Sequence, residues 1–455
     1  MPFQPKQTVV RVLSRTPVYR AMPSGAARTY AALKYLGENS NQDEITRFIR
    51  ESGGIPTRHL STAVVAARAV FRAGADDLLN ETLTVLDARF PESPDLSALH
   101  ADIEAHYGRY DEALGYARHG RILQPSHTPS VARMITYGYR VLPHDEADAA
   151  AVTALTRFWQ NGEVLWAVAK LCDSAEQYQR LRDAWFATRQ EDADLIKAVR
   201  PLATAAARAG LIDEAIDLYR QAIVMIVTGR AQLDAPIADA RLEGKSAWSA
   251  FEDLHAALDG AGIPYFIAAG TALGLIREGR PLAADNDIDV GIRDEDFDHD
   301  ALVALFAANP RFDFDVVHPH TKKVGLKHRG GSPIDIFRFY RDGEKMYHDA
   351  VFVRWGNTPF EVGRRSIRGL DLPLPVDHDT YLTENYGDWR TPNAGFDAFI
   401  GSDAPNVETT WPDYLRLHFV RRAYKKLSKG DRAGTTAELK SAGEDATAAI
   451  VSQHP

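Results

Sequence analysis

Ala268-Ala-Gly-Thr-Ala-Leu-Gly-Leu-Ile-Arg277, followed by Ala284-Asp-Asn-Asp-Ile-Asp-Val-Gly-Ile292, is the stretch that decides the fold of this chain. Just ahead of it, Tyr265 to Ala268 is short and apolar and reads as a buried strand. Gly270-Thr271 then turns the chain into a short helix expected to begin near Ala272. A strand, a tight turn and a helix N-terminus together make a seat for phosphate. Backbone N–H groups point outward there, and glycine lets a ligand come close.

Asp287-Ile288-Asp289-Val290 alternates carboxylate with apolar side chain. On a strand, residues i and i+2 project from one face, so both acids are expected in a site while Ile288 and Val290 enter the core. Two carboxylates this close repel unless a cation joins them. Oxygen ligands of this kind suit Mg²⁺ or Mn²⁺ held together with phosphates. The plainer alternative is a loop of solvated acids, in a chain with 62 Asp plus Glu.

Further along, Pro333-Ile-Asp-Ile-Phe337 is an apolar strand interrupted by one acid. Asp335 between two isoleucines is costly without a charged partner. It is therefore expected beside the Asp287/Asp289 strand, either as a third metal ligand or as a base toward a hydroxyl. The alternative is an acid at a strand edge in water.

Working outward, 455 residues exceed what one core supports, so several domains are expected. Between about Leu60 and Thr228 the chain reads as helices with alanine-rich faces. Gly74 and Gly108 stand 34 residues apart, as do Pro91 and Pro125, which is the tetratricopeptide period. Gly108-Arg-Tyr-Asp-Glu-Ala-Leu114 and Gly210-Leu-Ile-Asp-Glu-Ala-Ile216 both resemble the turn and second-helix start of such a repeat. The stretch around Ala147–Trp185 departs from that consensus, so the array is expected to be degenerate. Such an array either binds a protein partner or supports its neighbour.

The expected organisation is thus α+β and multidomain. A basic segment occupies 1–40, a tetratricopeptide-like array 41–235, a catalytic α/β domain 245–427 and a polar tail 428–455, read either as a frayed helix or as disordered. The net charge of −9 argues against nucleic acid as a partner. Two basic clusters stand out: Lys6, Arg11, Arg15, Arg20, Arg28 and Lys34, and Arg421, Arg422, Lys425, Lys426 and Lys429. They read either as contacts to anionic headgroups at a membrane face or as solvated segments. No apolar run approaches the roughly 20 residues of a spanning helix, and no secretory signal is evident at the start. Cys172 is the sole cysteine, so intrachain disulfides and cysteine-cluster zinc sites are excluded and a cytoplasmic location is expected.

The Gly-Thr turn, the Asp-x-Asp strand and the later lone Asp form the nucleotidyltransferase-fold pattern. The version Gly270-Thr-Ala-Leu-Gly-Leu-Ile-Arg277 with Asp285-Asn-Asp-Ile-Asp289 resembles the LicD family, which includes fukutin and fukutin-related protein. Leu372 to Pro392 resembles that family's closing segment. The likeness covers roughly Ala247 to Asp397. It implies a metal-dependent phosphotransferase that moves choline phosphate or an alditol phosphate from a CDP-linked donor to a cell-surface glycan or polymer, releasing CMP.

Carried over by position, Asp287, Asp289 and Asp335 bind metal and act in catalysis, and Gly270 with Thr271 seats the phosphates. Arg277, helped by Lys322 or Lys327, clamps the diphosphate. Asn286 departs from the family's commoner run of three acids. His328 and His348 are expected as ordinary surface histidines, with an auxiliary role as the alternative. Tyr386 and Trp389 either pack in the core or stack on a base or sugar. Rival readings are transfer of a nucleotide itself onto an alcohol, a metal-dependent glycosyltransferase, and a non-catalytic repeat scaffold.

Overall fold

The computed structural model describes residues 17–39, 42–188, 193–233, 237, 244–282, 285, 287–314, 322–393 and 395–454. Asn286 and the basic residues Lys6, Arg11 and Arg15 lie outside the described residues. The chain divides into two compact units, each made of two segments. One takes the described residues of Met1–Glu92 and Ala240–Glu408, and the other those of Ser93–Asp239 and Thr409–Pro455. The break after Asp239 lies between the expected array and the expected catalytic domain, whereas the break after Glu92 falls inside the expected array.

The first unit is built on a mixed sheet. Its strands are β1 (Phe266–Ile267), β2 (Ile288–Arg293), β3 (Phe312–Asp313), β4 (Lys323–His328), β5 (Pro333–Asp342), β6 (Lys345–Asp349), β7 (Val353–Asn357), β8 (Val362–Ile367), β9 (Leu370–Pro375) and β10 (Val407–Thr409). The order β1-β2-β5-β6-β7-β10 runs across it, with β4 also on β5 and β3 on β4, while β8 and β9 form a separate ribbon. β2 and β5 are parallel and in register, Asp289 opposite Asp335 and Val290 opposite Ile336. The long β5 can serve several partners because its two halves pair differently: Pro333–Phe337 lies on β4 and Tyr340–Asp342 on β6.

Ile288, Val290, Ile292, Ile334 and Ile336 are all fully buried. This hydrophobic centre fixes the register, because a one-residue slip would turn every acid inward and every isoleucine outward. The helices Leu60–Arg72 and Asp76–Arg89 belong to this unit too. The Arg329 side chain, with no exposure, grips the turn between them. It donates to the Phe71 carbonyl at 2.8 Å and to both Asp76 carboxylate oxygens at 3.3 and 2.7 Å.

The second unit is helical. Helices starting at Leu60, Pro94, Thr128 and Gly162 recur at 34-residue intervals, the first of them in the sheet unit. The repeat glycines do what the spacing implied: Gly74, Gly108 and Gly210 all have φ near +75°, a backbone state that side chains other than glycine's strongly disfavour. The interval persists through the stretch that lacks the consensus residues.

The polar tail holds two helices, Arg432–Ser441 and Asp445–Gln453, where one frayed helix or disorder was expected. They form because Leu439, Ala442, Ala448 and Val451 recur on one face and are buried, despite the polar residues between them. Glu444, buried against Arg220 and Arg416, ties this end to the array. Arg422 and Lys426 of the C-terminal basic cluster pair with buried Glu438 at 2.9 and 2.8 Å.

Candidate active site and metal centre

Asp289 lies in β2 and Asp287 immediately before it. Carboxylate oxygens of Asp285, Asp287 and Asp289 lie within 4.8 Å of one another. Burial, then the charges of Asp335 and Asp285, pushes the Asp287 carboxyl up to about 7, against the opposing pull of Lys323. Asp289 is driven up as well, by burial first and then by Asp287, Asp285 and Asp335. Crowded acids of this kind hold protons or a cation.

The helix N-terminus beside them is coupled to the acids through the backbone of Asp289. Asp289 donates its N–H to Thr271 Oγ1 at 2.8 Å, and Ala268 donates its N–H to the Asp289 carbonyl at 3.1 Å. The helix spans Ala269–Glu278, so it begins three residues earlier than expected and Gly270-Thr271 forms its first turn. Gly270 leaves room there for Asp285, since a Cβ would sit 2.3 Å from Asp285 Oδ2 and displace it. Ala269 has φ +42°, and its N–H is accepted by the Tyr381 hydroxyl at 3.1 Å.

Asp335 shares the face of Asp289 on the adjacent strand. Its Oδ2 lies 2.5 Å from the ammonium of Lys323, which in turn sits 5.5 Å from the Phe337 ring. Gly325 stands opposite Asp335 on β4.

The other expected residues are distributed differently. Arg277 donates from Nη1 to the Trp389 carbonyl at 3.1 Å and lies 3.4 Å from Glu278, so it bonds to the closing segment. Lys322 pairs with buried Asp349 at 2.6 Å, and Lys327 lies opposite Pro333, four positions along β4 from Lys323. Strand alternation separates neighbours, so Lys322 and Lys323 serve different acids.

The two histidines are buried, contrary to the surface placement expected for them. His328 bonds Asp253 at 2.9 Å, and His348 stacks on Phe339 and Trp355 with its pKa pushed down to about 3 by burial. Their apolar neighbours on β4 and β6 draw them inside. Trp389 is buried and Tyr386 packs on Phe396 at 5.0 Å, as core residues do. Tyr386 also feels the field of Asp289, Asp285 and Asp287.

Residues 262–375 match the family model described as LicD/FKTN/FKRP, nucleotidyltransferase domain. The matched residues include those that build the acid cluster. Among similar proteins, the ribitol-5-phosphate transferase FKTN of Mus musculus is 24% identical over 194 residues, covering 40% of this chain and 41% of that protein. The human FKTN protein, of the same description, is 23% identical over 169 residues, with 34% and 35% covered. An uncharacterised protein of Rickettsia typhi is 30% identical over 173 residues, with 34% and 51% covered. The chain therefore spans about half or less of these relatives.

Reading the residues alone missed Asp285 as a cluster member, Lys323 as the partner of Asp335, and the hydroxyl of Tyr381. Asp285 had a signal, since it continues the i, i+2 spacing backward. Lys323 had only its place on a strand whose phase was unknown. Tyr381 had none.

Proposed function

We propose that this chain moves a phosphorylated alcohol, choline phosphate or an alditol phosphate, from a CDP-activated donor to a cell-surface glycan or polymer, releasing CMP. The observation that carries this reading is the gathering of Asp285, Asp287 and Asp289 beside the helix seat, within the residues that match the domain. The likeness to ribitol-5-phosphate transferases supports the class of group transferred.

The donor set is all carboxylate oxygen, which fits Mg²⁺ or Mn²⁺. Asp285, Asp287 and Asp289 would hold the ion, which supplies positive charge to offset that developing on the phosphoryl oxygens. Ala269 N–H is occupied by Tyr381, so Gly270 and Thr271 offer the first-turn donors to a phosphate. The acceptor hydroxyl oxygen attacks the phosphorus that carries the alcohol. The bond from that phosphorus to the bridging oxygen breaks, CMP leaves with the electron pair, and the hydroxyl proton passes to the Asp335 carboxylate. Lys323 balances the charge beside that acid. A reducing cytoplasm suits the sole thiol, Cys172, which is buried with its pKa pushed up to about 12.

The test offers CDP-choline, CDP-glycerol and CDP-ribitol with Mg²⁺ or Mn²⁺ and glycan acceptors. Metal-dependent CMP release by the parent and none by Asp289→Ala is the expected result. Pyrophosphate release from a nucleoside triphosphate and an alcohol, without CMP from any donor, would replace this reading with nucleotidyl transfer.

A further inference from the structure

The helix Ala269–Glu278 is fastened at both ends to one later segment. At its start the Ala269 N–H reaches the Tyr381 hydroxyl at 3.1 Å, and at its end Arg277 Nη1 reaches the Trp389 carbonyl at 3.1 Å. Tyr381 is 1% exposed, and its ring meets Phe360 edge-on at 5.0 Å. Phe360 in turn packs on Phe266 of β1 at 5.1 Å. The hydroxyl is thus delivered to the turn by a chain of packed rings with little freedom to move.

What it holds is a strained residue. Ala269, at φ +42°, occupies backbone space that favours glycine, and such a conformation persists only where surroundings impose it. Ala268 just before it donates to the Asp289 carbonyl, and Thr271 two residues after it accepts the Asp289 N–H. A shift of the turn therefore shifts the backbone that aims the Asp289 carboxylate.

We infer that Tyr381 is a positioning residue, whose hydroxyl holds the strained Ala269 turn and so sets Asp289 and the first-turn donors in register for a metal-bound phosphate. This rests on the proposed function for the identity of the ligand, but not for the hold on the turn. Tyr381→Phe keeps the ring packing and removes only the acceptor.

The experiment measures, on full-length parent and Tyr381→Phe, the thermal midpoint, the affinity for Mn²⁺ alone, and amide exchange in peptides covering 266–278 and 333–342. The expected result has four parts: a near-parental midpoint, at least tenfold faster exchange in 266–278, unchanged exchange in 333–342, and Mn²⁺ affinity weakened about tenfold or more. Tyr381→Leu, which also loses the ring, should lower the midpoint as well, separating packing from the hydroxyl. Parental exchange in 266–278, or parental Mn²⁺ affinity with faster exchange, would overturn the inference. If the parent itself binds no Mn²⁺, the metal reading of the site fails, while the exchange comparison still decides whether the hydroxyl holds the turn.

Discussion

Thr271 Oγ1 accepts the backbone N–H of Asp289 at 2.8 Å, and both residues are buried. The first turn of the helix and the acid cluster are therefore joined by a direct bond, although they stand 18 residues apart in the chain. Thr271→Val keeps the shape and leaves a buried N–H unsatisfied, at a cost of about 1–3 kcal/mol. We expect a lower melting temperature and weaker Mn²⁺ binding, with Thr271→Ser retaining most of both. Calorimetric melting and Mn²⁺ titration check this. A parental Val variant would show that the bond does not matter.

Lys323, at 2.5 Å from Asp335, is a cation beside the acids and opposes the rise of Asp287 and Asp289. Lys323→Met should lower CMP release by roughly 100-fold, the scale seen when a charge-stabilising group is removed. Mn²⁺ should bind at least as tightly, since a repelling positive charge is gone. Lys322→Met, which breaks the pair with Asp349, should leave turnover much nearer the parent. Equal losses in the two variants would refute the assignment.

The raised Asp287 carboxyl gives a pH signature. Its folded pKa, about 7, lies above the ordinary carboxylate value, so folding favours the protonated form. Stability from that preference is fully present below about pH 4 and is lost as pH rises through 7. Without metal, Asp287→Asn should therefore be more stable than the parent at pH 8, by about 1–3 kcal/mol, with the advantage gone near pH 4. Mn²⁺ affinity of the parent should rise between pH 6 and 8. Melting series with and without Mn²⁺ read both effects, and a pH-independent difference would contradict the stated cause.

Arg329 joins the helix pair Leu60–Arg89 to the sheet unit through Phe71 and Asp76. Arg329→Met should cost about 2–3 kcal/mol, because two charge-assisted bonds and a carbonyl contact are lost. Deleting residues 1–92 should leave a protein that does not melt cooperatively. A truncated chain with a parental transition would show the helix pair to be dispensable.

Much of the site was legible because its signals are local. The Asp287/Asp289 alternation needs only a strand, and the two carboxylates do gather, with oxygens within 4.8 Å of each other. Gly74, Gly108 and Gly210 were legible because a helix-to-helix turn demands positive φ wherever it occurs. The C-terminal helices were not, since Leu439 and Val451 are few among polar residues and are stabilised by what they pack against.

By itself the sequence determined the Gly-Thr turn into a helix, the acid strand, the lone Asp335 and the 34-residue period, all of which follow from the spacing of neighbouring residues. Only the tertiary structure decided that Lys323 rather than Lys322 meets Asp335, that Arg277 turns to Trp389, and that Tyr381 reaches Ala269. The physical reason is the same in each case. Which long side chain meets which acid or amide depends on strand phase and helix docking, and these are fixed by burial across the whole core.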